Sequence, residues 1–188
     1  WFSYQKNNSL ENLRIKEEGK YLLNVPSKRR VPQKGKKNYI DVSVKTSESV
    51  LEEAIVHCDL IAKRLNKLIG LSRLDRQLPV GLFKDEVKKG NAIFTRGKSA
   101  IDIWGSNEKG KTTLFELKNQ ANTKVGAISE LFFYAMVIKD AIDGKFSFKQ
   151  VNNKRGNIAS SYATEVTNLI KKTKHLEVYL LAPKFHPL

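Results

Sequence analysis

Three residues in one short window could do chemistry together: Asp102, Glu116 and Lys118. Each falls on a stretch that reads as a β-strand, 100–104 for the first and 113–118 for the other two. Strand side chains alternate faces with period two, so Glu116 and Lys118 share one face while Phe115 and Leu117 point the other way. Asp102 likewise opposes Ile101 and Ile103. The polar run 105–111 separates the strands and predicts a hairpin turn. Folding about its middle sets Asp102 opposite Glu116, with Cβ atoms roughly 4.5–5.5 Å apart. Two carboxylates that close repel unless a cation lies between them.

Oxygen ligands suit hard divalent ions, and Mg²⁺ takes one or two carboxylates while keeping several waters. Such an ion lowers the pKa of a bound water and stabilises charge on a phosphoryl oxygen. Lys118 could orient the water or offset phosphate charge. These are the parts of a phosphodiester-hydrolysis site. The competing reading is a surface hairpin on which Lys118 is the salt-bridge partner of two solvent-facing acids.

Asp102, a spacer, then Glu116-Leu117-Lys118 across a hairpin and before a helix resembles the PD-(D/E)XK nuclease superfamily. The resemblance covers roughly residues 48–140, with a closing strand near 176–182. It implies an α/β fold of the restriction-endonuclease-like kind, a mixed sheet in an αβββαβ core flanked by helices. It also implies metal-ligand roles for Asp102 and Glu116, a catalytic-amine role for Lys118, and a further ligand in the backbone carbonyl of Leu117. Ile101 stands where the proline of the family's name would be. Members often add a glutamate from a preceding helix. Glu53 is ranked first for that part, because Glu52 would cap the helix with Ser49. Glu130 and Tyr134 resemble a Gln-x-x-x-Tyr motif of the recombination-exonuclease branch, with glutamate in place of glutamine.

The elements that must position these residues can be read in order. Tyr21–Val25 and 38–45 read as strands, and 9–18 as a short helix. Ser49–Ile69 reads as one helix, stopped by Gly70, with Cys58 on its apolar face. Residues 78–87 and 91–95 read as a hairpin preceding the Asp102 strand. Residues 126–142 form a helix that is apolar nearly all round and expected to be buried, with Glu130 and Tyr134 on one face at i and i+4. Gln120 continues the face of Lys118 if the strand runs that far. A helix over 161–174 and a strand over 177–182 close the chain. The expected organisation is an N-terminal extension over 1–47 and a nuclease-like domain over 48–188.

The 188 residues suit one domain with an extension, and 40% hydrophobic residues suffice for a core. The net charge of +15 points to a polyanionic partner. Lys28, Arg29, Arg30, Lys34, Lys36 and Lys37 form one basic stretch, and a second over 145–174 includes Lys154 and Arg155. Both are expected to hold a phosphate backbone. No run of about 18 apolar residues occurs, so no membrane span is expected. The single cysteine, Cys58, cannot form an internal disulfide, which fits a cytoplasmic location. The only methionine is Met136, so the chain is expected to be a piece of a longer product.

The expectation is a Mg²⁺-dependent nuclease, with Mn²⁺ as a substitute, that hydrolyses DNA endonucleolytically. RNA is the alternative polymer, and cleavage of both strands would favour a homodimer. A nucleic-acid-binding module that kept the fold without turnover is the alternative function. It would not call for the acidic pair, because carboxylates repel phosphate unless a metal intervenes.

Overall fold

The structure, a computed structural model, describes residues 21–26, 28–31, 47–94, 99–119, 126–148 and 159–182. The expected helix at 9–18, the expected strand at 38–45, and Gln120, Lys34, Lys36, Lys37, Lys154 and Arg155 lie outside these residues.

The elements are β1 (Tyr21–Leu23), α1 (Glu48–His57), α2 (Asp59–Ile69), β2 (Arg73–Pro79), β3 (Leu82–Lys84), β4 (Ala92–Phe94), β5 (Ala100–Ser106) and β6 (Lys111–Leu117). They continue with α3 (Gly126–Ile142), β7 (Ser147–Phe148), α4 (Ala159–Lys171) and β8 (His175–Leu181). Among the described residues the fold is mixed α/β with two four-stranded sheets, ordered β2-β5-β6-β8 and β4-β3-β1-β7. In the first, β2, β5 and β6 run antiparallel in turn and β8 lies parallel to β6. A parallel neighbour needs a crossover, which α3 and α4 supply.

This sheet lies between two apolar layers. On one face Ile103 and Phe115 pack with Leu71 and Leu74 against Ile55 and Val56 of α1 and Ala62, Leu65 and Ile69 of α2. On the other, Trp104 and Leu114 pack against Tyr134 and Ile138 of α3 and Val166 and Ile170 of α4. Each such aliphatic or aromatic side chain contributes about 1.5–3 kcal/mol by leaving water. Leu23 and Val25 join this larger core, so part of the expected N-terminal extension packs within the main body. Gly105 lets β5 lie close to β2, since a Cβ there would meet the Arg73 carbonyl oxygen at 2.6 Å.

The structure corrects four expectations. The single helix over 49–69 is two helices broken at Cys58, which is extended and half-buried at the junction. The break lets both halves turn apolar residues onto the same sheet face. Ser49 and Glu52 form no capping box. Ser47 is the N-cap without a side-chain cap bond, and Glu52 is buried against Gln77. The first strand of the main sheet is Arg73–Pro79, whereas β3 and β4 belong to the other sheet. That strand was hidden because Asp75, Arg76 and Gln77 interrupt its apolar pattern. Tertiary partners absorb the charge, as Asp75 is 2% exposed and paired with both Arg29 and Arg73. Finally, α3 is not buried all round: Ile128, Phe132 and Met136 form an exposed stripe, because only one face meets the sheet.

Helix α3 otherwise spans the expected residues, and α4 and β8 begin two residues earlier than expected. The hairpin strands are longer than expected, leaving a turn at 107–110. One local feature interrupts β2. Gln77 has φ +60°, and a non-glycine residue held there costs on the order of 1–3 kcal/mol.

Candidate active site

The β5–β6 register runs from Ser106↔Thr112 to Ile103↔Phe115, and Asp102 and Glu116 are the next residues on the two strands. The two carboxylates therefore sit on neighbouring strands, as the hairpin predicts. Asp102 Oδ2 accepts the backbone N–H of Leu117 at 2.9 Å. The simple alternation expected around Asp102 does not hold. Ile101 packs in the larger core and Ile103 in the smaller one, although they are two residues apart.

Glu116 is 2% exposed. Its Oε1 accepts from Lys118 Nζ, while its buried Oε2 meets no donor among the described residues and has the Glu130 carboxyl as a neighbour. Lys118 Nζ also reaches Glu130 Oε2 at 3.3 Å, and Tyr134 Oη donates to Glu130 Oε1 at 2.8 Å. The structure thus brings Glu116, Lys118, Glu130 and Tyr134 into one hydrogen-bonded chain linking β6 to α3. Lys118 and Glu116 lie on the sheet face toward α3, so a glutamate and a tyrosine on that helix find polar partners under an apolar layer.

Charge is unbalanced here. Among the described residues one ammonium faces the carboxylates of Asp102, Glu116 and Glu130, in a protein of net charge +15. Burial, and then the negative charge of Asp102, push Glu116 up to about 8 despite its bond to Lys118. Burial also raises Asp102, partly offset by the Leu117 N–H and by Lys118. Burial pulls Lys118 down, but its bond to Glu116 and the surrounding carboxylates outweigh this and raise it, so it stays a cation. Burial raises Glu130, yet the bond from Tyr134, the charge and bond of Lys118 and a side-chain hydrogen bond with Glu116 lower it overall. Burial and the bond to Glu130 raise Tyr134, which remains a donor. The cluster wants one more positive charge near Glu116 Oε2: a proton when alone, or a cation.

Two carboxylates and a strand carbonyl are hard oxygen donors that fit Mg²⁺ or Mn²⁺, which complete their shell with water. The orphaned Glu116 Oε2 is the atom such an ion would satisfy. No group of three or more His, Cys, Asp or Glu side chains suited to a metal occurs among the described residues.

Helix α1 brings different carboxylates from the one ranked first. Glu53 Oε2 is paired with Arg76 Nη2 at 3.2 Å. The glutamates whose charges act on Asp102 include Glu48, and Asp102 in turn acts on Glu52. Glu48 Oε1 accepts the Asn119 N–H at 3.3 Å, which ties the start of α1 to the end of β6. Sequence reasoning missed Glu48 because the helix start was placed at Ser49. The signal was present: Ser47 followed by Glu48 is itself a helix-start pattern.

Of the basic stretch, Lys28, Arg29 and Arg30 are described, and all three are exposed. Arg29 already has work within the fold, since its Nε donates to Asp75 Oδ1 at 2.6 Å. Arg73, also bound to Asp75, lies over the rings of Trp104 at 5.3 Å and Tyr162 at 5.5 Å. Among the described residues no helix is long and apolar enough to cross a membrane.

Comparison with known proteins returned no matching family model, no matching curated protein and no matching solved structure.

Proposed function

We propose that the protein is a metal-dependent nuclease that hydrolyses phosphodiester bonds in DNA, acting endonucleolytically. The observation that carries the reading is the cluster of buried Glu116, Asp102 and Glu130 carboxylates around Lys118, in which Glu116 Oε2 meets no donor among the described residues. A surface hairpin with a simple salt bridge has no reason to bury such an atom. The order helix, three antiparallel strands, helix and parallel strand supports the restriction-endonuclease-like reading.

Asp102, Glu116 and the Leu117 carbonyl would hold a divalent cation, Mg²⁺ or Mn²⁺. That cation would supply an acidified water and charge stabilisation at a phosphoryl oxygen. Lys118, held charged by Glu116 and Glu130, is a cation and not a base. Its part is to balance negative charge that builds on the phosphorus oxygens. Tyr134 keeps Glu130, and through it Lys118, in place. In the reaction a water oxygen bonds to phosphorus, one ester P–O bond breaks, and a phosphate monoester and a hydroxyl end result. Lys28 and Arg30 are exposed and suit contacts to the polymer backbone.

The test is incubation of the protein with plasmid and linear DNA in Mg²⁺, Mn²⁺ or EDTA. Nicked or linearised plasmid in metal only, lost in Lys118→Ala, is expected. No cleavage in either metal, or an unimpaired Lys118→Ala, would overturn the proposal in favour of a binding module without turnover.

A further inference from the structure

Strands β2 and β5 pair through Arg73↔Ser106, Leu74↔Gly105, Asp75↔Trp104 and Arg76↔Ile103, then Leu78↔Ile101 and Pro79↔Ala100. The position between, Gln77 opposite Asp102, drops out of the ladder. Gln77 is also the residue with φ +60°, in the middle of a strand. The other described non-glycine residue with positive φ, Asp85, lies in a turn after β3. Core membership changes at the same point on both strands. Leu74 and Ile103 belong to the smaller core, and Leu78 and Ile101 to the larger one. A single left-handed residue re-aims the side chains that follow it in a strand.

In a regular antiparallel pair, opposite residues share a face with their side chains in contact. Gln77 would then stand against Asp102. Instead its amide Nε2 donates to Glu52 Oε2 on α1 at 2.7 Å, and Asp102 is left to reach the opposite neighbour, β6, at the Leu117 N–H. Glu52 is buried, so without that amide its carboxylate would lose a partner.

We infer that Gln77 is a positioning residue for Asp102: its left-handed backbone removes the cross-strand neighbour of that carboxylate, and its side chain is engaged by Glu52 instead of standing against Asp102. The inference rests on the reading of Asp102 as a functional carboxylate, and its test separates the two. Gln77→Gly and Gln77→Val both delete the amide, but only glycine accepts the left-handed conformation freely. Strand propensity alone ranks valine best and glycine worst at this position. The positioning role predicts the reverse order.

Two readouts are independent of cleavage. The thermal midpoint of Gln77→Gly should exceed that of Gln77→Val. The Leu117 amide, observed by ¹⁵N–¹H correlation spectra, should keep its shift and slow exchange in Gln77→Gly. In Gln77→Val it should move and exchange about tenfold faster or more. Mn²⁺-dependent plasmid cleavage should follow the same order, with a loss of about 10–100-fold in Gln77→Val, the size typical of outer-shell changes. If Gln77→Val does not fold, Gln77→Ala takes its place, with a smaller loss expected in the same direction. A valine or alanine variant as stable as Gln77→Gly, with an unchanged Leu117 amide, overturns the proposal. A wild-type protein that cleaves nothing while the glycine–valine order holds counts against the nuclease reading alone.

Discussion

Asp102 Oδ2 and the backbone N–H of Leu117 are hydrogen-bonded at 2.9 Å across β5 and β6. One oxygen of the carboxylate is thereby assigned to the fold. Asp102→Asn keeps an acceptor for Leu117 but loses the charge. The variant should fold with a thermal midpoint at or above that of the parent, since a charge repelled by Glu116 is gone. Its activity should fall by more than the roughly 10–100-fold typical of lost outer-shell partners. Circular dichroism melts and plasmid cleavage in Mg²⁺ check both halves.

Glu116 gives a pH signature. Its pKa is raised from 4.5 to about 8 in the folded protein, so folding favours its protonated form. The stabilisation is complete below the unfolded value and is lost as pH rises through about 8. Without metal, the thermal midpoint should therefore fall across this window. Glu116→Gln should flatten that decline, and Mg²⁺ should counter it by replacing the proton. A midpoint in EDTA that rises with pH over the window, equally in parent and Glu116→Gln, would contradict the assignment.

Tyr134 acts on Lys118 through Glu130. Tyr134→Phe removes one hydrogen bond, at a cost of about 0.5–1.5 kcal/mol in stability. Cleavage should drop by up to roughly tenfold, the lower end for an outer-shell partner. The effect should vanish in a Glu130→Gln background if the path runs through that carboxylate. A double-mutant cycle measures this directly.

The basic stretch divides into two roles. Arg29→Ala strips a partner from Asp75, which is 2% exposed, and should destabilise by about 1–3 kcal/mol. Arg30→Ala should leave the thermal midpoint unchanged and weaken DNA binding uniformly across sequences. The salt slope of binding should shrink by about one in the latter. Denaturant melts and salt-titrated fluorescence anisotropy distinguish the two.

By itself the sequence determined the hairpin that carries Asp102 and Glu116, because a period-two pattern around a polar turn sets register locally, but not the faces at Asp102, where Ile101 and Ile103 enter different cores. It also determined helix 126–142 and the shared face of Glu130 and Tyr134, because i, i+4 spacing on a helix is local geometry. The strand at Arg73–Pro79 was decided by tertiary structure. Its Asp75 becomes a core residue only once Arg29, 46 positions away, comes to meet it. The break at Cys58 and the exposed stripe on α3 depend on how many faces the sheet offers a helix, which no window of sequence states. Gln77 is the clearest case. No local propensity puts a left-handed glutamine inside a strand, and it is held there by Glu52 from another element. Local periodicity could place the two carboxylates on neighbouring strands. Their crowded negative charge, with burial pushing Glu116 up, arises only when β5, β6 and α3 close over them and exclude water.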